Sequence, residues 1–116
     1  MYIDGYLIAV PKENKERYLA AANAMKENFK KYGALRIVEG WGDDISKGKQ
    51  TDFFRAVDAK DDENVMFSWI EWPSKEVRDQ GMKQMMEDPM MEHMDMPFDG
   101  KRMIFGGFTP ILDEKL

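Results

Sequence analysis

The stretch VMFSWIEW (65–72) decides the fold. It is dominated by β-branched, aromatic and aliphatic residues, which is the composition of a buried strand. Its apolar side chains occupy both sets of alternating positions, so both faces of this strand should be apolar. We interpret it as the clearest strand in the sequence.

Outward from this stretch, four further segments have strand composition: 2–10 (YIDGYLIAV), 35–41 (LRIVEGW), 53–59 (FFRAVDA) and about 102–108. Proline cannot donate to a sheet ladder, so Pro11 should end the first of them. The polar segment KDDEN (60–64) indicates a hairpin connection or an irregular excursion before 65–72.

Two segments have helical periodicity. The first begins at Lys12, is followed by Gly33 as C-cap, and repeats apolar residues at three- and four-residue steps: Tyr18, Ala21 or Ala22, Met25, Phe29 and Tyr32. The second follows Ser74 as N-cap and places on one face Val77, Gly81 or Met82, and Met85. Pro89 ends this helix or starts a short one.

This order of elements predicts an α+β fold with both helices on one face of an antiparallel sheet. The ferredoxin-like β-α-β-β-α-β sandwich is its simplest match, over one domain spanning 1–116. The other sheet face should be apolar and uncovered by helix. Because monomers seldom expose large apolar patches, we expect a symmetric homodimer packed sheet against sheet.

Composition excludes several function classes. The net charge of -5 and pI near 4.9 argue against a nucleic-acid partner, which would need a concentrated basic face. Cysteine is absent, and a single histidine cannot form a multi-histidine metal site, so cysteine-ligated and multi-histidine metal centres are excluded and no residue is assigned as a metal ligand. The sequence has no apolar run long enough to predict a membrane span, and its N-terminus lacks the pattern of a signal peptide. We therefore expect a cytoplasmic location.

Methionine is concentrated in one third of the chain, with eight of eleven residues between Met82 and Met103. Two interpretations are open. In the first, the methionines pack in a core or at an adaptable interface. In the second, they form a copper(I) site together with His93. His93 also has a reference pKa near neutrality, so it is a candidate acid or base as well as a candidate solvent-exposed residue.

Two strand residues are candidates for ligand binding. Arg55 lies within the apolar run FFRAV, where a cation must reach water or be paired. It either lines a cavity and holds an anionic group or faces solvent from an edge strand. Trp69 is expected to pack inside a cavity or core.

The segment MPFDGKRMIFGGF (96–108) combines a turn at Pro97–Gly100 with two cations and a Gly-Gly step. Asp99 can bond nearby backbone in such a turn, and the glycines suit a bulge or a close approach of another backbone. Whether Asp99, Lys101 or Arg102 also faces a pocket stays open.

Several segments together resemble the bacterial YbaA-like family, known as domain of unknown function 1428. They are MYIDGY (1–6), VP (10–11), GAL (33–35), GDD (42–44), GK (48–49), RAV (55–57), FSWIEW (67–72) and MPFDGKRMIFGGF (96–108). The resemblance implies a ferredoxin-like subunit that forms a dimeric α+β barrel. Members of that superfamily include cofactor-independent monooxygenases, haem-degrading enzymes, decarboxylating and isomerising enzymes, and ligand-binding stress proteins.

Two functional hypotheses follow. In one, a pocket between sheet and helices binds a small organic molecule, with Arg55 and Lys101 or Arg102 orienting a carboxylate or phenolate and Trp69 packing on it. Any catalysis would proceed without a cofactor, through a preorganised polar environment. In the alternative, the protein is a non-enzymatic dimeric binding or scaffold module.

Overall fold

The structure, a computed structural model, describes residues 1–116. Four strands are present: β1 (Tyr2–Pro11), β2 (Arg36–Trp41), β3 (Glu63–Trp72) and β4 (Ile104–Phe108). The helices are α1 (Lys15–Lys31), α2 (Phe53–Ala56) and α3 (Lys75–Glu87), with short 3-10 helices at Lys12–Asn14, Pro89–His93 and Gly100–Arg102. No helix combines the length and the apolar character that crossing a membrane requires.

The sheet has the order β2-β3-β1-β4, and every neighbouring pair is antiparallel. β1 and β3 are the two central strands and pair over ten residues, from Tyr2 opposite Trp72 to Pro11 opposite Glu63. Helices α1 and α3 both pack on the face that carries the even-numbered residues of β1 and β3. The predicted α+β, ferredoxin-like arrangement with helices on one sheet face is confirmed.

The core lies between this face and the two helices. Trp72 has no exposed surface, and its ring meets Phe29 of α1 edge to face at 6.2 Å between centroids. Met85 of α3 packs in the same cluster. A second cluster at the other end of the sheet joins Tyr18 of α1 to the strand residues Ile8, Val10 and Met66.

The helix ends follow the predicted signals. Gly33, which follows the C-cap residue Tyr32 of α1, has φ of 108°, a backbone conformation that residues with a side chain disfavour. The Ser74 hydroxyl accepts a hydrogen bond from the Val77 backbone N–H at 3.2 Å and so caps α3. Gly81 lets α3 approach the sheet, because a Cβ there would lie 2.6 Å from the Trp72 ring.

The strand predicted over 53–59 is wrong: Phe53–Ala56 form the short helix α2. Asp52 is its N-cap and accepts a hydrogen bond from the Arg55 backbone N–H at 2.8 Å, which fixes a helical turn. This local capping overrides the β propensity of FFRAV. Because 53–59 is not a strand, KDDEN (60–64) is not a hairpin connection: it is an irregular turn that leads into β3 at Glu63, and no additional strand pairs with the sheet.

The buried carboxylate of Asp4 links the sheet to α3. Trp72 Nε1 donates to Asp4 Oδ2 at 3.0 Å, and Arg78 donates through Nε and Nη2 to Oδ1 at 3.0 and 2.9 Å. The Arg78 guanidinium also lies over the Tyr2 ring, 5.0 Å from its centroid. A buried charge is tolerated only when paired and hydrogen-bonded, and Asp4 meets both conditions.

The face of the sheet opposite α1 and α3 is covered only at one end, where Val57 and Phe54 pack on Ala9 and Val65. The remainder forms a broad apolar groove of about 650 Å³, which we call the outer groove. It lies over β1, β3 and β4, and its walls include Ile3, Leu7, Phe67, Trp69, Ile104 and Phe108. No charged side chain lines it.

Gly107 of β4 gives a direct test of this packing. A Cβ at Gly107 would overlap the Tyr2 hydroxyl and lie 2.5 Å from Arg78 Nη2, so Gly107→Ala should push apart the groups that hold Asp4. We expect it to lower the free energy of unfolding by about 1–3 kcal/mol, as overpacking does. Chemical denaturation measures this. Gly100→Ala is the control, since nothing lies within 4 Å of its Cβ; equal effects of the two substitutions would contradict the proposed contact.

Candidate functional site

A cavity of about 190 Å³ lies between the sheet, α1 and the chain that follows α3; we call it the inner pocket. Its lining is almost entirely apolar, with Ala21, Ala22, Met25 and Phe29 from α1 and Ile8, Ile37 and Ile70 from the strands. Pockets of this kind, with few polar groups in an apolar wall, are the usual form of small-molecule sites.

Glu39 provides the polar end of the inner pocket. It lies on β2 opposite Ser68 of β3, on the face that carries the helices. Tyr18 of α1 donates its hydroxyl to Glu39 Oε2 at 2.8 Å, and Ser68 Oγ donates to Oε1 at 3.0 Å. Three elements therefore fix the carboxyl group in one orientation.

The same surroundings shift the acid–base properties of the pocket. Burial raises the pKa of Glu39 above its usual range, while the hydrogen bonds from Tyr18 and Ser68 oppose that change. Burial, reinforced by the charge of Asp4, raises the pKa of Tyr6 to about 12. Burial and the nearby Glu39 also raise the pKa of Tyr18. The two tyrosines are neutral hydroxyls at physiological pH, and Glu39 is the group with an acid–base role available.

The roof of the inner pocket is the segment 94–98, which is tied to the start of α1. Arg17 donates to both oxygens of Asp95, at 2.6 and 3.1 Å. The side-chain amide of Asn14 donates to the Pro97 carbonyl at 3.0 Å, and the rings of Tyr18 and Phe98 lie 5.8 Å apart. These contacts hold the segment 94–98 over part of the pocket, on the side away from the sheet.

Methionines form much of the inner-pocket wall: Met25, Met82, Met91, Met96 and Met103. Four of them belong to the methionine-rich part of the sequence, so packing around a cavity accounts for their positions. His93 lies exposed on the 3-10 helix Pro89–His93 and does not line the pocket. The structure does not bring this histidine to the methionines that face the cavity.

Arg55 and Trp69 are not brought together at the inner pocket. Trp69 points to the opposite face of the sheet, where it lines the outer groove and packs on Phe67 at 5.7 Å between ring centroids. Arg55 is exposed on α2 and donates from Nη1 to the Lys49 carbonyl at 3.0 Å. The prediction that Arg55 lies on a strand was wrong. Its side chain stabilises the loop before α2.

Arg102 and Asp99 belong to an ion-pair network. Arg102 donates to Glu63 Oε1 and Oε2 at 2.6 and 2.7 Å, and from Nε to Asp99 at 3.1 Å. Asp99 accepts the Lys101 backbone N–H at 3.0 Å, as predicted for this turn. The Lys101 side chain is exposed. These residues fasten the entry of β4 to the start of β3 and lie outside the inner pocket.

Glu39, Tyr18 and Ser68 were not among the candidate residues derived from the sequence. A signal was present, because Glu39 is in phase with Ile37 on an apolar strand face and Tyr18 is part of the apolar stripe of α1. A carboxylate in phase with core positions needs hydrogen-bonding partners. The sequence could not show that a cavity lies beside it.

Fold and pocket together define a ferredoxin-like α+β protein with a mainly apolar cavity between sheet and helices. A crystal structure of a dimeric ferredoxin-like protein from an uncultured marine organism superposes with a TM-score of 0.51 at 13% identity, covering 100% of this chain and 99% of that one. The family model "Protein of unknown function (DUF1428)" matches residues 1–100.

Curated relatives agree with this match. The uncharacterized protein YbaA of Escherichia coli K12 is 54% identical over 115 residues, which cover 97% of this chain and 98% of YbaA. YbaA of Shigella flexneri gives the same values. The chain belongs to the DUF1428 family, as the sequence resemblance predicted.

Arg102→Met tests the assignment of Arg102 to the fold. The substitution leaves the Glu63 carboxylate, whose side chain is only 4% exposed, without its cation. We expect a loss of about 2 kcal/mol in the free energy of unfolding at pH 7, less than for a fully buried pair because solvent reaches Arg102. Lys101→Met, which removes the adjacent exposed cation, should change it by less than about 0.5 kcal/mol.

The effect of Arg102→Met should also depend on pH. The hydrogen bonds from Arg102 lower the pKa of Glu63 below its ordinary value of 4.5. The stabilisation from this pair is therefore present above about pH 4.5 and is lost as the pH falls through the folded-state pKa. Denaturation curves of wild type and variant should converge on acidification, and a constant difference down to about pH 2 would contradict the pairing.

Proposed function

We propose that the protein binds a small, largely apolar organic molecule in the inner pocket. The observation that carries this proposal is a partly open cavity of about 190 Å³ with an apolar wall and, at its inner end, the oriented carboxyl group of Glu39. Apolar walls supply binding free energy, and a few placed polar groups fix orientation. No cofactor is part of the proposal.

Cavity size limits the ligand. An apolar cavity of about 150 Å³ holds benzene, so the inner pocket has room for one ring with a short substituent. The methionines in its wall can adjust to the outline of the ligand, because their side chains are unbranched and flexible. The proposed ligand class is therefore a single-ring or similarly sized aliphatic molecule with one polar end.

Conversion of the bound molecule is the second candidate function. Burial raises the pKa of the Glu39 carboxyl group, and two hydrogen bonds hold this group in one orientation in the cavity. A carboxyl group with these properties can act as a general base or acid. Glu39 would accept a proton from the bound molecule or return one to it, without a cofactor. The non-enzymatic binding module and this enzyme use the same pocket and differ only in whether Glu39 exchanges a proton with the ligand.

We further propose that the protein is a homodimer in which two sheets pack through the outer groove. Phe67 is 49% exposed and Phe108 is 60% exposed within this uncharged apolar face. Contiguous apolar surfaces of this kind mark interaction sites. The solved ferredoxin-like neighbour is itself described as dimeric. In a dimer with twofold symmetry, the outer groove of one subunit is buried against the same surface of the other.

Ligand binding is tested with a cavity-filling substitution on α1. The neutral single-ring probe 2-phenylethanol should raise the thermal midpoint of the wild type in proportion to the logarithm of its concentration. Ala22→Leu adds bulk inside the pocket and should abolish that rise. Ala24→Leu adds the same bulk on the exposed side of α1 and should leave it intact. A rise that survives Ala22→Leu would move binding away from the inner pocket.

The dimer is tested by placing a charge in the outer groove. The wild type should scatter light as twice the chain mass of 13.6 kDa, and Phe67→Glu should scatter as one chain while its circular dichroism is retained. Met86→Glu, at a 67% exposed site on α3, should remain dimeric. A wild type that scatters as one chain at micromolar concentration would refute the dimer.

A further inference from the structure

The polar end of the inner pocket offers a ligand hydrogen-bond acceptors. The hydroxyl protons of Tyr18 and Ser68 are both donated to Glu39, at 2.8 and 3.0 Å. An ionised carboxylate has about four acceptor positions, so each Glu39 oxygen keeps capacity for a further donor. The β3 backbone in this region is paired on both sides, with β1 and with β2. A ligand that reaches Glu39 must therefore bring its own donor.

Charge in the pocket favours the same kind of ligand. No lysine or arginine is among the residues that line the cavity. The nearest guanidinium, Arg17, is paired with Asp95 at the exposed roof and also bonds Asn14. A ligand carboxylate would face Glu39 with no compensating cation, and like charges brought together without solvent cost several kcal/mol.

Tyr6 and Asp95 are the other polar side chains in the cavity wall. The Tyr6 hydroxyl can donate or accept, so it does not discriminate between ligands. Asp95 is already paired with Arg17 at the exposed roof, so discrimination is left to Glu39. We propose that the ligand of the inner pocket is an apolar amine, whose ring or chain fills the methionine-walled cavity and whose ammonium group donates to the Glu39 carboxylate.

This inference rests on the proposed function and narrows its ligand class. It reverses the sequence-based expectation of an anionic ligand, because the residues expected to hold an anion, Arg55, Lys101 and Arg102, lie outside the pocket. Burial disfavours the ionised form of the Glu39 side chain, and a bound ammonium group would favour that form.

Three probes with one skeleton and different ends test the proposal: 2-phenylethylamine, 2-phenylethanol and phenylacetate. Isothermal titration of the full chain at pH 7 should show the amine binding roughly tenfold tighter than the alcohol, since charge-assisted hydrogen bonds are about twice as strong as neutral ones. Phenylacetate should give no measurable heat of binding. This ranking is measured on the wild type and does not depend on any variant folding.

Glu39→Gln then assigns the preference to its residue. The variant keeps the shape of the side chain and removes the charge, so the amine should weaken roughly tenfold, to the level of the alcohol. Glu27→Gln, which removes the same charge from the exposed side of α1, should leave the ranking unchanged.

The outcomes separate the inference from the proposed function. Equal binding of amine and alcohol, or tighter binding of phenylacetate, overturns the amine assignment while the pocket remains a ligand site. An amine preference that persists in Glu39→Gln overturns the role of Glu39. Absence of binding by all three probes overturns the proposed function and the inference with it.

Discussion

The buried side chain of Asp4, which joins the sheet to α3, is the constraint on which the rest of the structure depends. It is 5% exposed and is held by Trp72 of β3 and Arg78 of α3. A charge at this depth fixes the distance and rotation of α3 against the sheet, because any other placement leaves it unpaired. β4 carries glycine at 107, where Arg78 and Tyr2 occupy the space of a side chain. Of the Gly-Gly step, Gly107 is therefore the architectural residue.

Much of the fold could be predicted from the sequence because the decisive signals are local. The apolar stripe of α1 and the Ser74 cap of α3 appear in the structure as expected. The error over 53–59 has the same origin: FFRAV has strand composition, and the Asp52 cap that makes it helical is a single residue outside the run. Apolar composition alone does not distinguish a strand from a helical turn, and here the cap decides between them.

The candidate site could be predicted only in part, because facing direction and cavities are properties of the packed chain. β3 is apolar on both faces, so the alternation of its residues could not predict that the Trp69 side chain points away from the helices. The cations near the C-terminus were available in the sequence, but their acidic partners are distant: Arg102 meets Glu63 across 39 positions. The sequence signal for Glu39 was its phase with Ile37, which identifies a buried carboxyl group but not the space beside it.

The wall of the inner pocket has a consequence for selectivity. Five of its side chains are methionines, which are unbranched and rotate easily about their side-chain bonds. The wall can therefore adjust to the outline of the bound molecule. Steric exclusion among molecules of similar size is correspondingly weak. Recognition is thereby divided between two parts of the chain: the methionines accept many shapes, and the rigidly held carboxyl group on β2 selects among them by the chemistry of one end.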